Sequence, residues 1–180
     1  MKKLVPLKYA NRIINSGPVV LVSTSLNQRD NIITIAWNMP VSYSPICVAI
    51  SSGTSRFTTN IIKETSEFVI NVPNITLKQK VIECGSVSGK FVEKFKRFEL
   101  TPISGKKVKS PAIKECIGHL ECKLEKSIDV YDHIIFAGRV VKAYVDSDKW
   151  DFHNNVWIPD KAKILHHLGS DYFSTETSIE

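Results

Sequence analysis

The residues best suited to chemistry stand together in Ser51-Ser52-Gly53-Thr54-Ser55-Arg56-Phe57-Thr58. Hydroxyls, one glycine and one arginine follow an apolar, β-favouring run and lead into a helical pattern. Glycine lets the backbone approach a ligand, and unpaired amides at a helix start point outward toward an anion. The hydroxyls add donors, and Arg56 offers a forked, charge-assisted contact to phosphate. An ordinary strand-to-helix connection capped by Ser or Thr has the same composition. Spacing alone leaves both readings open.

Other reactive side chains point to less. Cys47, Cys84, Cys116 and Cys122 show no Cys-x-x-Cys spacing, which argues against structural zinc and thioredoxin-type exchange. On a regular strand Cys116 and Cys122 share one face but lie too far apart to bridge, so buried free thiols are expected. Cys47, midway along an apolar run, belongs to the core. His166-His167 point opposite ways on a strand and lack a companion ligand set, which disfavours a metal. His119 shares its face with Glu121 and Lys123 and is expected to face solvent. His133 after Asp132 suits either a ligand contact or an ordinary turn. Trp37, at a strand end, is a stacking platform or core filler.

These residues need elements to position them. A short helix over Lys8 to Ile14 is stopped by Asn15-Ser16-Gly17-Pro18. Strands are expected at Val19 to Ser25 and Asn31 to Trp37, joined by the polar loop Leu26 to Asp30. Pro40 and Pro45 bracket a turn before Ile46 to Ser51, an apolar strand buried on both sides. Ser55 to Thr65 is helical, Glu67 to Val72 is a strand, and Thr76 with Gln79 makes a capping box for a helix ending at Gly85. A small-residue loop, Ser86 to Lys90, precedes a basic helical piece at Phe91 to Phe98. His119 to Ile128 and His133 to Val145 pair as a hairpin about a turn at Asp129 to Asp132, and Asp148 to Lys163 is irregular. Many strands with few helices indicate a mainly β (α+β) fold, a barrel or curled sheet.

At 180 residues, one domain spanning 1–180 is expected. A hydrophobic content of 43% with 23% charged residues is that of a soluble globular protein, and no apolar run is long enough to cross a membrane as a helix. No apolar segment backs the charged start Met1-Lys2-Lys3, so a cytoplasmic protein is expected. The net charge of +6 is spread along the chain. Its densest group, Lys106-Lys107-Lys109, reads as a solvated loop, and no interleaved aromatics support nucleic-acid binding.

In this order the segments resemble the flavin reductase-like family, in particular its flavoredoxin-type members. The likeness rests on Asn31-x-x-Thr34-x-Ala36-Trp37, Ser51-Ser52-x-Thr54-Ser55-Arg56-x-Thr58, Glu67 to Pro73, Gly85 to Phe95, Asp132-His133-x-x-Phe136-x-Gly138 and Leu165-His166-His167-Leu168-Gly169. Glu93-Lys94-Phe95 stands where the family often has Asp-Lys-Phe. The resemblance implies an antiparallel FMN-binding split β-barrel with short peripheral helices, and a homodimer with FMN near the subunit interface. It implies that Thr34, Ala36, Trp37 and Asn38 lie along the isoalloxazine. Ser51 and Ser52 open the loop in which Thr54, Ser55, Arg56 and Thr58 hold the phosphate; Ser88, Gly89, Lys90 and Lys94 close over it or the ribityl chain. Electrons would pass from NAD(P)H through bound FMN to a small-molecule or protein acceptor, with no side-chain general acid needed. The alternative is a carrier with tightly bound FMN, charged by a redox-protein donor without NAD(P)H oxidation. The chain has no Gly-x-Gly-x-x-Gly, so a nicotinamide nucleotide would lie over the flavin without a Rossmann domain.

Overall fold

A computed structural model describes residues 2–175, so Met1 of the charged start lies outside the described residues. The chain opens with a 3-10 helix, Leu7–Ile13, that buries none of its own residues. β1 (Val20–Leu26) and β2 (Arg29–Ile35) form a hairpin whose turn is only Asn27-Gln28, both with positive φ. That primed-turn geometry matches strand twist and needs no longer loop. β2 stops at Ile35, two residues short of Trp37.

β3 (Asn38–Tyr43) occupies the span that the two prolines were expected to make a turn. Pro40 is tolerated because β3 is an edge strand with a register shift between Pro40 and Ser42; the turn is Ser44-Pro45 alone. β4 (Ile46–Gly53) runs on two residues past Ser51, and its burial is uneven, with Ile46 exposed. After α1 (Phe57–Thr65), β5 (Glu67–Val72) keeps its expected bounds. Asn74, rather than Thr76, caps the next turn by accepting the Thr76 N–H at 3.1 Å. α2 (Lys78–Ser86) continues through Gly85, and α3 (Lys94–Arg97) is one turn within the expected basic piece.

β6 (Pro102–Ile103) and β7 (Ala112–Ile113) form a minor ladder. β8 (Gly118–Val130) and β9 (His133–Val145) make the long hairpin, tightened to a Tyr131-Asp132 turn. Cys116 falls in the turn before β8, so it shares no strand face with Cys122; both are buried. The stretch expected to be irregular holds β10 (Trp150–Asp151), β11 (Val156–Trp157) and α4 (Pro159–Ala162). β12 (His166–Gly169) and β13 (Tyr172–Ser174) close the chain.

The main sheet has seven strands in the order β2-β1-β5-β8-β9-β4-β3, every neighbour antiparallel. Its two edges, β2 and β3, are consecutive in sequence with only Ala36 and Trp37 between them. A flat sheet cannot satisfy that connection, because two residues span about 7 Å and the edges of seven strands lie several times farther apart. The sheet therefore curls, and the Ser51 N–H donates to the Trp37 carbonyl at 2.9 Å, extending the β3–β4 ladder to the corner. The result is the antiparallel split barrel with short peripheral helices.

Both faces of β1 are buried, following the two-residue period. Val20 and Val22 join Ile33, Ile50, Ile62, Phe68, Ile70 and Phe136 in one cluster. Val19 and Leu21 join Ile32, Val81, Cys84, Phe95 and Leu165 in a second, under α2.

The expected exposure of His119 is wrong. His119 is 6% exposed and Glu121 fully buried, because the 105–113 segment lies across that face. Glu121 accepts the backbone N–H groups of Lys106 and Lys107 at 2.8 and 2.5 Å, and Glu67 accepts those of Lys109 and Ser110. His119 Nδ1 lies 2.9 Å from Asn71 Oδ1, which also accepts the Ile113 N–H. Burial holds the His119 pKa down at about 4, so the imidazole is neutral.

Gly138 on β9 faces the Phe68 ring so closely that a Cβ there would stand 2.6 Å from Phe68 Cζ. Gly138→Ala should destabilise the fold by about 1–3 kcal/mol through overpacking, read as a lowered urea midpoint with an unchanged slope.

Candidate functional site

The seam creates a groove on one side of the Ala36–Trp37 corner. Ile33, Thr34, Ile35, Ala36 and Trp37 line one wall of its middle section; Ser51, Ser52, Gly53, Arg56, Gly85 and His133 line the rest, enclosing about 180 Å³. At one end it continues, through Ile33, Arg56 and Gly85, into a recess of about 120 Å³. At the other it opens, through Ala36, Trp37 and Ser51, into a wider apolar bay of about 480 Å³.

The recess is built by the turn into α1. The Arg56 N–H bonds the Gly53 carbonyl at 3.0 Å, and the Thr59 hydroxyl reaches Ser52 Oγ at 2.8 Å and Gly53 O at 2.9 Å. This clamps the chain so that the helix starts at Phe57 with no side chain capping it. The Thr54 N–H donates to Asp132 O at 2.9 Å, tying the loop to the long hairpin's turn. Opposite, Gly89 packs on Asn31, where any Cβ would collide with the amide oxygen, while Asn31 Nδ2 donates to Thr58 Oγ1 at 2.6 Å. Arg29 holds the facing loop by donating to the Gly89 and Lys90 carbonyls at 2.8 and 2.9 Å.

Ser55, Arg56, Thr58, Ser88 and Lys94 bring three hydroxyls and two cations to the recess, and no carboxylate lines it. Arg56 makes no ion pair or side-chain hydrogen bond among the described residues. Lys94 is 3% exposed and donates to the Cys84 carbonyl at 2.6 Å. Burial first, and Arg56 to a lesser degree, lowers its pKa from 10.5 to about 8. Two cations without a counter-anion fit a phosphate group. The donor chemistry of the recess therefore suits the phosphorylated end of a flavin mononucleotide.

Of the residues singled out in the sequence, Thr34, Ala36, Trp37, Ser51, Ser52 and Arg56 meet in the middle section. Ser55, Thr58, Ser88, Gly89 and Lys94 meet in the recess, and Asn38 lies in the bay. Thr54 and Lys90 line none of the three. Thr54 faces out beside Asp132, and the Lys90 ammonium lies over the Phe91 ring at 5.7 Å. Thr34 spends its hydroxyl on the Val81 carbonyl at 2.5 Å.

Trp37 is 39% exposed on the groove, not core. Its ring lies 4.7 Å from that of His133, whose Nδ1 pairs with Asp132 at 2.9 Å. Gly85 lines both recess and middle section, and a Cβ there would stand 3.3 Å from Thr34 Cβ. Sequence reasoning took it as a helix stop and missed that role. Asn11, Ile14, Asn15 and Gly17 of the bay were also missed, since nothing in the sequence says that the first helix lies beside Trp37.

Two solved structures share this architecture. Flavoredoxin of Desulfovibrio vulgaris (Miyazaki F) superposes with a TM-score of 0.88 at 24% identity, covering all of this chain and 95% of that one. The FMN-binding protein from Thermus thermophilus with bound 1-cyclohex-2-enone gives 0.85 at 22%, covering all of this chain and 97% of that one. At these identities the likeness establishes the fold, a flavin reductase-like split barrel. A protein of Archaeoglobus fulgidus is 40% identical over 114 residues, covering 63% of this chain and 64%, less than two thirds, of the relative. The family model described as the flavin reductase like domain matches residues 13–171, and the chain belongs to that family. Membership supports a flavin-related redox role.

Lys94 sets a pH dependence whose sign follows from its lowered pKa. Below about pH 8 it is charged in the folded chain and carries the full burial penalty. Between pH 8 and 10.5 the unfolded chain retains a proton that the folded chain has shed, so this contribution to stability rises with pH. Anion affinity runs oppositely, because a phosphate favours the charged amine. FMN titrated into the apoprotein should bind progressively more weakly above about pH 8, at most about tenfold per pH unit. Lys94→Met should abolish that slope; a slope retained in the variant would assign it to another group.

Proposed function

We propose that this protein is an FMN-binding oxidoreductase that passes electrons from NAD(P)H through FMN to a small-molecule or protein acceptor. One observation carries the reading: Arg56, with no ion pair among the described residues, and the buried Lys94 line one recess at the end of a groove whose other end is apolar. That polarity matches a molecule with a phosphate tail and a flat ring system. FMN rather than a larger flavin nucleotide is favoured because both cations, Arg56 and Lys94, are confined to one recess of about 120 Å³. The Thermus thermophilus neighbour, described as FMN-binding, agrees with this choice.

When bound, FMN supplies the hydride acceptance and onward electron release. The chain's own residues bind and orient it. Ser55, Arg56, Thr58, Ser88 and Lys94 hold the phosphate, with the free amides at the start of α1 adding their dipoles. Thr34, Ala36, Trp37 and Asn38 offer backbone and ring surface along the isoalloxazine, and Ser51 and Ser52 face it from β4. The His133 side chain, kept in place by Asp132, borders the same space. A homodimer is supported by the exposed apolar side chains of Met39, Val41 and Tyr43 on the free edge strand, beside Ile46 of β4. The cytoplasm is proposed as its location; among the described residues no helix is long and apolar enough to cross a membrane.

The second reading, an electron carrier reduced by a redox protein, shares the binding groove and differs only in the donor. Anaerobic mixing of the FMN-loaded protein with NADH or NADPH separates them. Bleaching of the yellow absorbance within the mixing experiment is expected, and failure of both nucleotides to bleach it would leave only the carrier. Arg56→Ala should weaken FMN binding by about 1.5–3 kcal/mol, the worth of a lost charge-assisted bond. Equilibrium dialysis checks this, and unchanged affinity would move the phosphate elsewhere.

A further inference from the structure

We propose that Arg29 and Asn31, at the start of β2, are positioning residues for the flavin phosphate: they hold the two lips of the recess together and leave the hydroxyls of Thr58 and Ser88 as donors toward it. This rests on the phosphate reading of the recess. Neither residue lines the recess itself. Both share a strand face with Ile33, which does, because side chains alternate along β2.

The lips come from distant stretches of chain. Phe57 and Thr58 open α1 on one side, and Ser88 and Gly89 stand on the other. Asn31 touches both. Its Nδ2 donates to Thr58 Oγ1 at 2.6 Å, and its oxygen lies so close to Gly89 that a Cβ there would overlap it. Arg29 also touches both: its guanidinium donates to the Gly89 and Lys90 carbonyls at 2.8 and 2.9 Å and lies over the Phe57 ring at 5.5 Å. The start of β2 is thus a strut between the lips, and it sets how far apart they stand.

The same contacts decide which way two protons point. A hydroxyl rotates its single proton away from any donor that faces it. A helical threonine otherwise turns that proton back onto a carbonyl of the preceding turn. Thr58 accepts from Asn31 and, among the described residues, donates to no other group, so its proton is left for a ligand. Ser88 is set in the same way, for its Oγ accepts the N–H of Lys90 at 3.2 Å, and Arg29 holds the Lys90 carbonyl. Hydroxyls on opposite lips are therefore prepared as donors before an anion arrives, beside the charges of Arg56 and Lys94.

For the fold alone, asparagine is a poor choice at this position. Asn31 is 2% exposed, and its Oδ1 has no hydrogen-bond partner among the described residues. Thr24 Oγ1, opposite it on β1, has none either. An apolar residue of similar size would avoid the unpaired buried oxygen. What the amide does for Thr58 accounts for its presence.

The test titrates FMN and riboflavin into the apoprotein and follows flavin fluorescence; riboflavin lacks the phosphate and reports on the ring end of the groove. Asn31→Leu should weaken FMN about tenfold and riboflavin less than about twofold. Thr58→Val should lose FMN affinity to a similar degree, and the double variant should lose no more than about twice as much as Thr58→Val, because Asn31 acts through that hydroxyl. Arg29→Gln should weaken FMN alone, by about threefold or more. Arg29 is exposed, so this variant decides the matter should Asn31→Leu fail to fold. Losses that multiply in the double variant, equal losses for the two flavins, or full FMN affinity in both Asn31→Leu and Arg29→Gln overturn the proposal. A wild-type protein that binds the two flavins equally overturns the phosphate reading, and the proposal with it; a wild-type preference for FMN that every variant keeps overturns the proposal alone.

Discussion

The structure depends on a two-residue connection. Ala36 and Trp37 link strands that occupy opposite edges of the seven-stranded sheet, and chain length forces those edges together. Curling the sheet satisfies the connection and brings the end of β2 beside the end of β4. The groove is the gap left where closure is incomplete. Its wall residues are therefore set by the backbone path and not by loop placement, which gives a binding site rigid sides on two strands.

Charge is then distributed along that gap by the ends of helices. α1 starts at the groove without a capping side chain, and its first amides join Arg56 and the buried Lys94 at the recess. Burying an amine with a single carbonyl partner is unfavourable, as its lowered pKa records. The recess is thus an arrangement that a bound anion would relieve. The bay at the other end carries no ionisable side chain, so the groove is graded from strongly cationic to apolar.

Much of this was legible in the sequence, unevenly and for physical reasons. Strand periodicity placed β1, β5 and the long hairpin, and the hydroxyl-arginine loop was recognised from anion-site chemistry alone. β3 was lost because Pro40 reads as a turn residue, and only the sheet order reveals an edge that tolerates it. Local pattern also misplaced His119 and Glu121: alternation gives which face of a strand a residue takes, not what lies across that face. Gly85 looked like a helix terminator, whereas its missing Cβ serves contact with Thr34. Most residues named for the site do meet in the groove. Thr54 and Lys90 fall outside it because neighbouring positions in a turn point different ways. The bay was invisible because nothing in the local pattern says that the first helix and the breaker after it lie beside Trp37.

The carboxylates of Glu121 and Glu67 grip the lysine-bearing loop by main-chain N–H groups rather than by its ammonium heads. Anchorage of that kind is indifferent to side-chain identity. Lys107 and Lys109 can therefore be exchanged for other non-proline residues without touching those bonds, whereas Lys106 also lays its ammonium over the Tyr144 ring of the barrel at 4.8 Å. The two acids beneath have no such liberty.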